Sequence, residues 1–222
     1  MKSKFLLVLV AVTLTMTLFS CQKPSSKSTF TAVNEAGTAQ VVASDENGFI
    51  KTNEKSSMIE YITGADGAIK KDDSGKDVTK ITNFPSYIKH GNTVECYQFK
   101  LTLPDTWEMQ KSQSIKLTHK ETKAEITFTV RTNETAEKLL KEVEDLYADW
   151  DAGFTKETVQ LSFGQAIKLE STKIKPNAKT SFYVFAHNGN AFLIRTTVYD
   201  AMSKNVDCLE VINSVKFRST AK

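Results

Sequence analysis

Three cysteines and three histidines carry most of the side-chain chemistry open to this chain of 222 residues. Cys21 stands where an uncharged apolar run stops, and Cys96 and Cys208 are the other two thiols. A metal site needs Cys, His, Asp or Glu at short, regular spacings. His90, His119 and His187 are far apart, and none has a His or Cys neighbour at ligand spacing, so neither a metal nor a cofactor is expected. Nucleophilic catalysis needs a nucleophile beside a base. The chain contains no G-x-S-x-G, H-E-x-x-H, C-x-x-C or phosphate-cradling glycine loop. Ser86 and Lys89 fit S-x-x-K, a spacing that recurs by chance, and its partner motifs are missing. The stretch DGAIKKDDSGKD, Asp66 to Asp77, offers four aspartates and two glycines. A calcium loop sets oxygens at alternate positions and closes with Glu. Here Lys70, Lys71 and Lys76 take ligand places and no Glu closes the loop, so a solvated turn is expected. No catalytic residue is assigned.

The residues before Cys21 give that thiol a different chemistry. Lys2 and Lys4 open the chain, and Phe5 to Phe19 follow without a charge, with Thr13, Thr15 and Thr17 as the polar exceptions. A membrane-crossing helix needs about 20 apolar residues. This run is shorter and has the positive-then-apolar order of a secretory leader. It ends Leu18-Phe19-Ser20-Cys21, which resembles the lipobox of bacterial lipoproteins. The resemblance implies a leader over 1–20, cut off before Cys21. It also implies a diacylglyceryl thioether on the Cys21 sulfur and a lipid anchor of fatty acids such as palmitate. Two acyl chains give stable attachment where one gives only marginal binding. The alternative is an uncleaved membrane anchor with Cys21 incidental. Gln22 is not the aspartate that retains some lipoproteins at an inner membrane, so the cell membrane and the outer membrane both stay open.

Loss of Lys2 and Lys4 takes the basic residues from 29 to 27, against 26 acidic. That balance offers no single-sign field for nucleic acid or an anionic surface. The roughly 200 residues left suffice for one domain with a stalk. Residues 21–39, rich in Ser, Lys, Thr and Ala, read as a lipidated stalk. Residues 40–84 form a poorly defined extension of short apolar pieces between turn signals at Asn47-Gly48, Asp66-Gly67 and Asp72 to Gly75. No internal repeat is evident.

From about Pro85 the pattern sharpens. Tyr97, Phe99, Leu101 and Leu103 alternate with polar residues, as do Ile115 and Leu117, and then Ala124, Ile126, Phe128 and Val130. Each set predicts a strand with one apolar face. Ala136, Leu139, Leu140, Val143, Leu146, Tyr147 and Trp150 fall at helical spacing, with Asn133 as the cap. Trp150 and Trp107 are expected in the core. The stretch TVQLSFGQAIKLEST predicts one bent strand or two, broken near Gly164. TSFYVFAHNGNAFLIRTTVY predicts a hairpin around Asn188-Gly189. A last helix is expected over about 203–215, with Cys208, Val211, Ile212 and Val215 inward. Strands, helix, strands, helix argue for an α+β layering of an antiparallel sheet with helices.

The phrases FKLTLPDTW, FYVFAHNGNAFLIRTTV and LEVINSVKF, with a helix between the first two, resemble the Mog1/PsbP-like fold and envelope lipoproteins of the DcrB type. The resemblance covers residues 85–218 and implies an α/β/α sandwich. Members of this fold mostly bind other proteins or support assemblies. The expected function is therefore a non-catalytic protein-binding or structural module, held by lipid on the extracytoplasmic face of a bacterial cell envelope membrane. Its partner would be an unidentified envelope protein. The alternatives are a lipid-anchored hydrolase with an unrecognised site, and a small-ligand-binding lipoprotein. Cys96 and Cys208 are expected unpaired, because strand alternation turns Cys96 to the polar face while Cys208 lies on the apolar stripe of the last helix.

Overall fold

The computed structural model describes residues 29–52, 57–110, 112, 114–200 and 206–219. The leader, Cys21 and residues 22–28 of the expected stalk lie outside the described residues.

The first half is a run of strands that forms two short meanders lying side by side in one sheet. It comprises β1 (Thr29–Asn34), β2 (Ala39–Ala43), β3 (Ser57–Tyr61), β4 (Thr79–Asn83), β5 (Ile88–His90), β6 (Thr93–Glu95) and β7 (Phe99–Thr102). One kind of turn recurs four times, over 34–38, 45–49, 64–68 and 72–76. In each, the first residue's N–H donates to the fifth residue's carbonyl, at 3.1, 2.7, 2.8 and 2.8 Å. The fourth residue is Gly37, Gly48, Gly67 or Gly75, at φ +81°, +69°, +79° and +79°. Only glycine adopts that conformation without strain. In three of the turns Oδ1 of Asn34, Asp45 or Asp72 accepts two backbone N–H groups of its own turn. Short side chains that bond their own backbone two residues on favour such turns. The expectation of no repeat is thus corrected at the level of turn chemistry.

The stalk and extension boundaries also change. Residues 29–34 and 39–43 pair as β1 and β2, and β1 pairs with β5 through Val33↔Lys89 and Asn34↔Ile88. The alternation of Phe30 and Ala32 with threonines buries Ala32 in a small core with Val42, Ile50, Met58 and Ile88 and packs the half-buried Phe30 against it. That face has only two apolar residues, and the exposed Val33 breaks the alternation, so the strand does not stand out in the sequence.

The second half is a seven-stranded sheet with helices. Its strands are β8 (Trp107–Met109), β9 (Ile115–His119), β10 (Glu125–Thr132), β11 (Thr155–Leu161), β12 (Gly164–Ser171), β13 (Ala178–His187) and β14 (Asn190–Tyr199). Helix α1 (Ala136–Leu146) follows β10, and α2 (Cys208–Asn213) precedes the two-residue β15 (Lys216–Phe217). Strand order is β11-β12-β13-β14-β10-β9-β8 in this sheet and β15-β7-β6-β5-β1-β2-β3-β4 in the other, with every pair antiparallel. The hairpin at Asn188-Gly189 has φ +48° and +73°, the signature of a type I′ turn. The stretch around Gly164 makes two strands joined at Ser162-Phe163.

Alternate residues of the seven-stranded sheet face different layers. Phe182, Val184 and Ala191 meet Leu139, Leu140 and Val143 of α1. Tyr183, Phe185, Phe192 and Ile194 meet Phe99 and Leu101 of β7 and Cys208, Val211 and Ile212 of α2. The chain is therefore an α+β sandwich of antiparallel sheets and helices, with α2 sharing its layer with strands. Among the described residues no helix is long and apolar enough to cross a membrane.

Several local expectations change. Thr135 caps α1, its hydroxyl accepting from Lys138 N–H at 3.2 Å, while Asn133 sits at φ +56° between strand and helix. The stripe ends early: Leu146, expected on it, closes α1 and is already 67 % exposed. After Leu146 the chain tightens into a 3₁₀ turn, Ala148–Trp150, and Asp151 takes a left-handed φ of +46°. A period of three rotates Trp150 off the buried face. It is 64 % exposed and touches Tyr147 edge-on, so it is not core. Helix α2 is six residues long, shorter than the expected 203–215, of which 203–205 lie outside the described residues. Strand β7 begins at Phe99, and Cys96 to Gln98 form the turn before it, with Cys96 N–H donating to Phe99 carbonyl at 2.9 Å. The turn frees Cys96 from strand alternation, and the side chain lies in the main core instead of on a polar face.

Candidate functional site

Most of the groups singled out in the sequence serve the fold. His90 stacks on Phe30 at 4.0 Å, with Nε2 3.3 Å from Glu95 Oε2. His119 is buried, and its Nδ1 meets the Thr122 hydroxyl at 3.0 Å. His187 stacks on Phe217 at 4.0 Å, and burial lowers its pKa. Ser86 and Lys89 border different cavities. Asp72 spends its carboxylate on the Ser74 hydroxyl, then on Lys76 and Ser74 N–H, which hold its pKa low. Lys71 pairs with Asp77. Among the described residues no group of three His, Cys, Asp or Glu is arranged to hold a metal ion. Cys96 and Cys208 are buried free thiols, and burial pushes both pKa values up to about 12.

A charged cluster spans β11 to β13, and its β12 and β13 members border a cavity of about 220 Å³ beside α2. Lys168 Nζ is 2.8 Å from Glu170 Oε2 and 3.0 Å from Glu157 Oε1, and the Ser181 hydroxyl donates to Glu170 at 3.1 Å. Burial alone would raise the Glu170 pKa, but the Lys168 and Ser181 bonds outweigh it and lower it. The K-x-E of β12 and S-x-Y of β13 put these residues on one face, yet neither spacing was legible as a site.

The larger opening is a cleft of about 480 Å³ where the β1–β2 turn approaches β8. Pockets for ligands commonly fall at about 300–1,000 Å³. The Asx turn at Asn34 fixes one wall and the strand-end residues Trp107 to Met109 the other. Tyr87, Trp107 and Met109 supply apolar surface. Trp107 is 3 % exposed and held edge-on by His119 at 5.2 Å. Glu35, Glu108, Lys89 and Lys120 supply charges of both signs around it. Lys120 Nζ donates to the Asp105 carbonyl, and Ser86 N–H donates to Glu35 Oε1 at 3.4 Å. The other Glu35 oxygen has no hydrogen-bond partner. Among the described residues lining the cleft there is no Ser, Thr, Cys or His. The groups present can bind and orient a partner. Sequence reasoning placed Trp107 in the core and noted Lys89 but missed Glu35 and Tyr87, which the pairing of β1 with β5 brings near each other, and Glu108, which β8 of the other sheet supplies.

The chain matches no family model and no curated protein. Among solved structures it is similar to LpqN of Mycobacterium tuberculosis, described as involved in cell envelope biogenesis. Identity is 14 %, the TM-score is 0.39, and the match covers 55 % of this chain and 83 % of that one. It is also similar to the cyanobacterial PsbP of Synechocystis, at 12 % identity and a TM-score of 0.37, over 54 % of this chain and 86 % of that one.

Proposed function

We propose that the protein is a lipid-tethered module of the bacterial cell envelope that binds another protein at the cleft and catalyses no reaction. The observation that carries the binding reading is the composition of the cleft: an aromatic and thioether floor with charges of both signs beside it. A buried apolar centre with a polar rim is the anatomy of a protein-binding surface. The tether rests on the apolar run that stops at Cys21 in a lipobox-like tetrapeptide. Seven residues, 22–28, separate Cys21 from Thr29. At roughly 3.5 Å per residue, β1 would start within about 28 Å of the anchor. That is a much shorter stalk than one reaching residue 39.

The test is site-directed photocrosslinking in intact envelopes. A photoreactive residue at Glu108 should give a discrete protein adduct, and one at Lys141, on the exposed face of α1, should not. Equal adducts from both positions, or none from Glu108, would remove the cleft from the reading.

A further inference from the structure

The hydrogen-bond register of β8 shows what kind of chain fits the cleft. Gln110 N–H donates to Lys116 carbonyl, and Lys120 N–H donates to Thr106 carbonyl. With Trp107↔His119 and Met109↔Leu117 opposite each other, the bonded positions of this strand are 106, 108 and 110. In an antiparallel pair, bonded and non-bonded positions alternate. Trp107 and Met109 therefore turn their N–H and C=O groups away from β9. Strand β8 ends its sheet, and among the described residues no strand pairs with it on that side. Trp107 N–H is taken by the Pro104 carbonyl, which leaves Trp107 C=O and both backbone groups of Met109 at the edge. These residues border the cleft, and Glu35, whose Oε2 is buried without a hydrogen-bond partner, borders it from the β1–β2 side. The carboxylate torsion of Glu is soft, so a small rotation presents that oxygen to an incoming donor.

We propose that the cleft takes an extended peptide segment of a partner protein, which adds to β8 as a further strand and sets a lysine or arginine against Glu35. The inference rests on the protein-binding reading above and names its site and partner chemistry. Strand addition draws affinity from main-chain hydrogen bonds and selectivity from alternate side chains. Here Met109 supplies the main-chain pair, its half-buried side chain beside the exposed Val33 receives an apolar side chain, and Glu35, at the end of the cleft away from the Lys120 bond to Asp105, sets the place of the positive charge. The other sheet ends are less suited. Strand β15 has two residues, and β11 carries Lys156 and Glu157, both in ion pairs. Strand β4 exposes Ile81, with nothing that indicates what would cover it.

The experiment uses the full chain and two pools of hexapeptides, random except for one fixed position that is lysine in one pool and glutamate in the other. The lysine pool should bind and the glutamate pool should not. Peptides selected from the lysine pool should slow exchange of the Met109 amide. Glu35→Gln and Met109→Pro should each weaken them by about tenfold or more. Proline at an edge position whose N–H faces outward is tolerated by the fold, and unchanged melting of both variants confirms that. Binding by neither pool at about 1 mM peptide, equal binding of both, or binding indifferent to both variants overturns the proposal. Self-association of the free chain that Met109→Pro abolishes would put a second copy in the cleft and overturn it too. A crosslinked envelope partner whose binding ignores both variants would sink this site while leaving the protein-binding function in place.

Discussion

Removing the Arg218 side chain should destabilise the protein by about 3–5 kcal/mol, the usual cost of stranding one member of a buried ion pair. Glu95 is wholly buried, its side chain 0 % exposed. It accepts from Arg218 Nη2 at 2.5 Å and from Ile50 N–H at 2.8 Å, with His90 Nε2 at 3.3 Å. Arg218 also donates from Nη1 to the Ile50 carbonyl at 2.7 Å and from Nε to the Tyr97 carbonyl at 2.9 Å. Its guanidinium lies 4.8 Å from the Phe49 ring centre. In Arg218→Ala the carboxylate keeps only the Ile50 amide and His90, and two carbonyls lose a charged donor. Such bonds are individually worth about 1.5–3 kcal/mol, so the whole is a large part of a typical stability of about 5–15 kcal/mol.

The assay is urea unfolding of the leaderless chain for Arg218→Ala, Glu95→Gln and the double variant. The double variant should be more stable than the sum of the two single losses predicts, by roughly 1–3 kcal/mol, because the charge stranded by Arg218→Ala is gone. Ile50 belongs to the first meander and Arg218 to the chain's end. Amide protection should therefore fall first in β1 to β3 while α1 keeps its own. A loss below about 1 kcal/mol, additivity within about 0.5 kcal/mol, or equal loss of protection in α1 would refute the reasoning.

Cys21→Ser should abolish fatty-acid labelling and leave an uncleaved or soluble product, and retained labelling with unchanged membrane attachment would remove the lipoprotein reading. Leu140→Ala, on the face of α1 that meets Phe182 and Leu169, should cost about 2–5 kcal/mol in the same urea assay. Trp150→Ala should stay within about 0.5 kcal/mol of the parent, since the ring is 64 % exposed. Cys96 and Cys208 should react slowly with a thiol reagent at pH 8 when folded and count as two thiols when unfolded. Their pKa values rise from 9.0 to about 12 on folding. Their share of stability is therefore complete below pH 9 and is lost as the pH climbs from 9 toward 12, as a urea midpoint measured across that range would show.

The elements that the sequence made legible are those whose cause is local. The Asn188-Gly189 hairpin needs two residues tolerant of positive φ between alternating apolar runs, and nothing distant can change that. The stripe Leu139, Leu140, Val143 is likewise set by helical period alone. Where that period stops, the reading fails: Trp150 continues the count but follows a 3₁₀ turn that no residue type announces. Cys96 fails for the converse reason, since alternation was extended through a turn that begins one residue after Glu95. The first meander was a missed opportunity of another kind. Gly37, Gly48 and Gly75 each close a turn opened by Asn34, Asp45 or Asp72, and Gly67 closes the same turn opened by Gly64, a five-residue pattern that marks strands running back to Thr29.

The cleft and the Glu95–Arg218 pair are different in kind, because each is made of residues far apart in the chain. Glu95 and Arg218 are 123 residues apart in sequence. They meet because β15 pairs with β7 at Phe217↔Phe99 and Lys216↔Lys100, a two-residue contact too short to read from any pattern. Once it forms, the next residue, Arg218, is carried past the β6–β7 turn to the Ile50 carbonyl. The end of the chain thus closes the joint between meander and sandwich. In the same sheet β1 pairs with β5 at Val33↔Lys89, and the β1–β2 turn that follows β1 borders the cleft opposite β8. If the cleft is the binding site, one of its walls belongs to the sheet that holds the buried ion pair, although that pair borders no part of the cleft. Arg218→Ala should then weaken partner peptides even where the protein stays folded, by loosening the wall that carries Glu35. Peptide affinity unchanged in folded Arg218→Ala would show that the β1–β2 turn holds its place without the joint.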